Sequence, residues 1–209
     1  YMALSKIQPA SMDLTANYAF TGTNSVSTIE YAEKKLATLT ASSSSSLSFT
    51  SSIDNTYNIY KFKFINIHPS NNATRLQYNL SVDGGSNYNV AKTTTSFKAY
   101  HNEGDSGTGL IYETGTDLAQ GTGTQFIGDD ISNANDANMC GEMFLFDPSS
   151  TTFVKHILIQ TATLANGDYA VYNSTGTGYG NTTSAVDAVQ FTMSSGTIDS
   201  GTIEMYGIN

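Results

Sequence analysis

Apolar and polar residues alternate with period two along most of the chain, the pattern of strands that bury one face. In "YKFKF", Tyr60, Phe62 and Phe64 alternate with Lys61 and Lys63. In "RLQYNLSVD", Leu76, Tyr78, Leu80 and Val82 alternate with Gln77, Asn79 and Ser81. Both stretches predict strands. Asp83-Gly84-Gly85 then offers the positive φ angles of a tight hairpin, with "SNYNV" as the partner strand. The same pattern predicts strands at "SFKAYH", "GLIYET", "GEMFLFD", "FVKHILIQT", "DYAVYN", "VDAVQFTM" and "GTIEMYGI". A strand every ~10 to 20 residues, with Gly- or Asn-rich breaks, is the cadence of a β-sandwich or jelly roll.

Only "STIEYAEKKLATL", residues 27–39, has the length of a helix, and its apolar positions do not hold a 3.6 spacing, so it too reads as a strand. The run Ser42 to Ser46 fits either a linker or the end of one long edge-like strand, because Leu47 and Phe49 resume alternation at once. No solenoid or propeller repeat is visible. The expected architecture is all-β: a jelly-roll-like antiparallel β-sandwich over residues 47–209, preceded by an N-terminal arm or extension over residues 1–46.

Composition narrows the function classes. The chain has 209 residues, and its 9 Lys plus Arg against 18 Asp plus Glu give a formal net charge of −9, which argues against a nucleic-acid partner. The single cysteine, Cys140, rules out an intrachain disulfide, so the fold rests on packing and backbone pairing. Neither the opening "YMALSKIQPASMDL" nor any later stretch has the apolar run of a signal peptide or membrane span, so no membrane insertion is expected.

Several stretches carry candidate chemistry. Gly104-Asp105-Ser106-Gly107 spells the nucleophile tetrapeptide of trypsin-like serine proteases. Such a nucleophile needs a base, and the only upstream histidine, His68 in "NIHPS", lacks that family's Ala-Ala-His-Cys context, while Thr108 stands where a second glycine belongs. The string therefore reads as a turn between two strands, and no catalytic residue is expected. His68, His101 and His156 share no metal-ligand spacing, and His156 within "FVKHILIQ" suits a sheet position facing solvent or a neighbouring chain. "GDDISNANDAN" gathers Asp129, Asp130 and Asp136, hard oxygen donors that make a weak calcium candidate but fail the calcium-loop pattern; no other cofactor is expected. "NGDYAVYNSTGTGYGNTTSA" mixes Tyr169, Tyr172, Asn173, Tyr179 and Asn181 with Gly and Ser, the composition of a binding loop and equally of a strand with a surface loop. The absence of Trp weakens a sugar-platform reading.

"TASSSSSLSF", "YKFKFINIHPS", "LSVDGGSNYN", "DPSSTTFVKHI" and "GYGNTTSAVDAVQFTMSSGTIDSGTIEMYGI" together resemble virion proteins of tailed phages that infect marine bacteria. The resemblance runs over nearly the whole chain, and its most specific part is the closing Ser-Gly-x-Ile-x-Ser-Gly-x-Ile-x-x-Tyr-Gly-Ile. It implies a structural or host-contacting component of the particle and brings no catalytic motif. An acidic chain without disulfides suits assembly in the reducing cytoplasm of a bacterial host.

The leading expectation is a non-enzymatic bacteriophage structural protein on the virion exterior, either a tail-fibre or other appendage or a capsid-decoration protein. A carbohydrate-binding module for a host-surface glycan is the alternative, and a hydrolase is a third class. In "EMFLFD", Met143 and Leu145 point one way and Phe144 and Phe146 the other, so a second buried face would need a second partner. Few lysines protect strand edges. Both points favour a homo-oligomer, and analogy with phage appendages favours a trimer.

Overall fold

The computed structural model describes residues 33–209 except 168, and within them the chain forms twelve strands and no helix. In order they are β1 (Lys34–Thr40), β2 (Leu47–Phe49), β3 (Ile59–Pro69), β4 (Leu76–Ser81), β5 (Lys92–Asn102) and β6 (Thr108–Tyr112), followed by β7 (Gln125–Phe126), β8 (Met139–Phe146), β9 (Lys155–Leu164), β10 (Ala170–Gly180), β11 (Ala188–Met193) and β12 (Ile198–Ile208). Every pairing is antiparallel. One sheet has eight strands in the order β1-β12-β3-β8-β9-β10-β5-β6, and the other has four in the order β2-β11-β4-β7. The molecule is a β-sandwich of eight strands facing four, a wider and less even arrangement than the eight strands of a jelly roll.

Alternation places the core. Tyr60, Phe62 and Phe64 of β3, Met143 and Leu145 of β8, and Ile203 and Met205 of β12 turn inward from the large sheet. Leu76, Tyr78 and Leu80 of β4 and Phe191 of β11 meet them from the small one. The Phe191 ring sits edge-on to Phe62 and Phe64, each at 5.4 Å between centroids, and to Phe49 at 6.2 Å. These T-shaped contacts tie three strands of the sandwich together beyond simple area burial. Phe144 and Phe146 lie on the opposite face of β8, half-buried and stacked on each other.

The chain N-terminal to residue 47 also enters the pairing. β1 runs beside β12, and Ala41, Ser43 and Ser44 continue alongside it, donating from their backbone nitrogens to the carbonyls of Gly201, Asp199 and Ile198. The serine run thus carries the chain from the large sheet to β2 in the small one. Pairing with β12 and its flank runs from Lys34 to Ser44, inside the stretch expected to be an arm or extension. The earlier part of the predicted strand, 27–32, and the rest of the arm lie outside the described residues.

One predicted hairpin does not form. Gly84 and Gly85 adopt φ of 68° and 84°, as a tight turn requires, but residues 86–91 make no strand, and β4 is flanked by β11 and β7 instead. Side chains redirect the segment. The Asp83 carboxylate accepts the backbone N–H and the side-chain amide of Asn87, and Asp187 accepts the N–H of Gly84. Asn79 donates to the carbonyl of Tyr88, so the chain folds over the outside of β4 before joining the large sheet at Lys92.

The packing gives a direct stability test. Phe62→Ala, which empties the contact among three rings, is expected to lower unfolding free energy by about 3–5 kcal/mol in urea titration. Phe153→Ala, at a side chain 70% exposed, should stay within about 0.5 kcal/mol of the parent, and similar losses at both positions would contradict the described core.

Candidate functional site: a bulged groove and an ionic cover

β3 breaks its alternation at Phe64-Ile65-Asn66-Ile67. Phe64 and Ile67 both point inward, so two consecutive residues, Ile65 and Asn66, face out. This is a β-bulge, and the register shifts on both sides: β3 slips against β8 between Phe64 and Ile67, and β12 slips around Ser200. Asn66 has φ of 51° and Gly201 has φ of 108°. A Cβ on Gly201 would lie 2.4 Å from the Asn66 carbonyl oxygen, so only glycine permits the two bulged backbones to meet.

The bulge opens the outer face of the large sheet. Beside it lies a depression of about 580 Å³ lined by Lys63, Ile65, Cys140, Gln160, Ala162 and Asn173 among others. Cys140 and Ala162 also line a neighbouring hollow of about 270 Å³ that reaches Val171. Asp136 and Asn138 connect that hollow to a third, of about 400 Å³, with His68, Asp199 and Asn66 on its walls. Shared residues make the three one groove, apolar at the Ile65 end and rich in Asn, Asp and His at the other. Cys140 fixes its middle, with Sγ accepting the Asn66 backbone N–H at 3.3 Å. His68 Nε2 lies 3.1 Å from the Ala134 carbonyl, and its Nδ1 lies 3.7 Å from Asp199.

Charge borders the apolar end. Glu33 pairs with Lys61 at 2.8 Å and Lys63 at 3.0 Å, and Lys61 also meets Glu142 at 3.1 Å. Hydrogen bonds from the two lysines hold the Glu33 carboxyl below its ordinary range. Farther along, the Tyr206 hydroxyl donates to Glu204, which also pairs with Lys35, and both lower the Glu204 carboxyl.

A second cluster sits on the inner side of the same sheet. Asp129 is almost fully buried and takes Arg75 on one oxygen and Lys98, at 2.5 Å, on the other. Lys98 also meets Glu113 at 3.1 Å and lies over the Tyr172 ring at 4.3 Å. Burial alone would raise the Asp129 carboxyl, but hydrogen bonds from Lys98 and Arg75 outweigh it and the group lies below its ordinary value. Burial and the Asp129 charge push Asp130 the other way.

The residues singled out from the sequence do not converge. Asp129 already has two cationic partners, whereas Asp136 lies apart from it on the wall of the groove. Among the described residues no three His, Cys, Asp or Glu side chains are grouped to hold a metal ion. The middle of the Gly-rich stretch is a strand, β10, whose residues alternate between faces, and Tyr169 and Asn181 flank it. Tyr172 turns inward against Tyr100, with the partly exposed Tyr169 hydroxyl 3.4 Å from its own. Asn173 turns outward into the groove, Tyr179 packs edge-on to exposed His156, and Asn181 donates to Gln120 at 2.6 Å. Of the five, Asn173 alone lines the groove. Gly104 to Gly107 form the turn of the β5–β6 hairpin, where Ser106 Oγ accepts from Asn102 and His101 faces Asp105 at 3.1 Å.

Comparison with protein-family models, with characterised proteins and with solved structures found no match to this chain.

Asp129 makes a pH-dependent contribution with a definite sign. A carboxyl lowered in the folded state stabilises fully above its unfolded value, near 3.8, and that stability is lost as pH falls through the folded value. Asp129→Asn should therefore cost about 1.5–3 kcal/mol at pH 7 in urea titration. The gap to the parent should narrow on acidification below 3.8, and equal stability of the two proteins at pH 7 would contradict the ionic cover.

Proposed function

We propose that the protein is a non-enzymatic structural protein of the bacteriophage virion exterior, a tail-fibre or appendage component or a head-decoration protein, that works as a homo-oligomer. One observation carries the assembly part of this reading: the two edges of the large sheet are unlike. β1 carries exposed Lys34 and Lys35, the usual protection of a free edge. β6, Thr108–Tyr112, has no charged residue, and no strand lies on its far side among the described residues. Leu110 is 72% exposed and Tyr112 51% on one face of β6, and Ile111 is 42% exposed on the other. Phe97 of β5, opposite Tyr112, is 45% exposed beside them. An uncharged edge strand with apolar side chains open on both faces invites pairing, and a second copy of this chain supplies a partner at high local concentration during particle assembly. The phage assignment rests on the sequence resemblance, and a trimer is favoured by analogy with phage appendages.

The groove favours a second reading, a site for a host-surface glycan. Asn66, Asn138, Asn173, Asp136, Asp199 and His68 offer sugar hydroxyls both donors and acceptors along one continuous depression. Both functions fit one exterior protein.

Light scattering at micromolar concentration should give a multiple of the 22.3 kDa chain mass, three copies if the trimer is right. Leu110→Glu should reduce it to the single-chain mass without loss of fold by circular dichroism. A single-chain mass for the parent protein would overturn the oligomer. Glycan-array binding that Asn173→Ala and Asp136→Ala both weaken tests the second reading, and no binding to any glycan would count against it.

A further inference from the structure

Lys92 opens β5 in the large sheet, and Asn79 lies in β4 of the small one. Both side chains are buried, Lys92 completely and Asn79 to 5% exposure. The Lys92 Nζ lies 2.5 Å from Asn79 Oδ1 and 2.9 Å from the Val90 carbonyl oxygen. Among the described residues it has no ion pair. Such a lysine is unusual, because a buried ammonium normally keeps a carboxylate beside it.

The amide it touches is held from every side. Asn79 Nδ2 donates to the carbonyls of Tyr88 at 2.6 Å and Thr122 at 3.0 Å, and Oδ1 also accepts the Leu80 backbone N–H at 2.9 Å. The carboxamide cannot turn away. Desolvation pushes the Lys92 amine down to about 8, so a fraction of it is neutral and nucleophilic near neutral pH.

We propose that Lys92 and Asn79 are a modification site at which the lysine amine and the asparagine carboxamide join in an intramolecular isopeptide bond between the two sheets. The neutral Nζ attacks Cγ of Asn79 and forms the new C–N bond. The Leu80 N–H donates to the oxygen on which negative charge develops. Collapse of the tetrahedral intermediate breaks the Cγ–Nδ2 bond, and Nδ2 leaves as ammonia with a proton given up by Nζ. Amine plus primary amide becomes secondary amide plus ammonia, with no oxidant, reductant or other reactant. No carboxyl group appears among the hydrogen-bond partners of either side chain within the described residues, so no neighbouring acid or base speeds the proton transfer and the bond forms slowly, as a maturation event. Its product is a covalent staple from sheet to sheet, closing the chain between residues 79 and 92. A chain with one cysteine has no disulfide with which to make such a link.

Mass spectrometry of the purified full chain, fresh and after incubation for days, tests the proposal. The expected mass is lower than that of the sequence by one ammonia. Trypsin should then release residues 76–98 as one peptide carrying the same deficit, because an acylated Lys92 is not cleaved. Lys92→Arg should restore the full mass. Full mass with cleavage after Lys92 overturns the proposal. So does an ammonia deficit with Lys92 still cleaved, which would place a succinimide at an asparagine, and so does a deficit that survives Lys92→Arg. The measurements on the unaltered chain decide the matter even if the variant fails to fold.

Discussion

Eight strands face four, and most of the structure follows from that imbalance. The small sheet covers β12, β3, β8 and β9 with an aromatic and aliphatic layer, and the main core cluster contains no residue of β5, β6 or β10. The uncovered end of the large sheet has to be roofed by loops, and loops bring backbone polar groups with them. A polar network satisfies those groups. Gln125 accepts from Thr94 at 2.5 Å and donates to the Thr116 carbonyl at 2.7 Å, while Asp129 binds Lys98 and Arg75. Beneath this cover Ala165, Ala170 and Tyr172 make only a small apolar cluster of their own. Ionic and amide contacts do here what hydrocarbon packing does at the other end, and each needs its partner in place.

The same imbalance shapes the surface. Beyond the roof the large sheet runs on to β6, whose residues have neither a covering layer nor an outer neighbour among the described residues. The edges of the small sheet are short, three residues in β2 and two in β7, which limits what can pair with them. The open surface is thereby concentrated at one end of the large sheet. On that sheet's outer face the bulge at Asn66 and Gly201 adds a groove that a regular ladder would have kept flat. The unpaired edge and the groove thus belong to the same large sheet.

The strands were legible because period-two alternation is a local signal, and Tyr60, Phe62 and Phe64 turn inward as it implies. Non-local features were not legible. The Asp83-Gly84-Gly85 turn reads as a hairpin, and the long-range bond from Gly84 to Asp187, which with the nearby Asn79 and Asn87 contacts bends the segment away from β4, has no local sign. The Gly-rich end of β10 resembles a loop, yet a Cβ on Gly178 would lie 2.6 Å from the Thr93 carbonyl oxygen, so its glycines serve close approach of β5. Asp129 looked like a cation ligand, and its partners Arg75 and Lys98 come from two other strands or their flanks. The groove had one local sign, the interrupted alternation Phe64-x-x-Ile67, which marks a bulge only once the neighbouring strands are known. Lys92 gave no sign at all, because a lysine at a strand start is ordinarily solvated.

The central claim is that β6 is covered by another copy of the chain, and amide hydrogen exchange tests it most directly. A free edge strand bonds inward with alternate amides only, whereas a strand paired on both sides bonds with all of them. The account predicts slow exchange at every amide from 108 to 112 at micromolar concentration, with alternate amides becoming fast on dilution. Fast exchange at alternate positions at every concentration would contradict it.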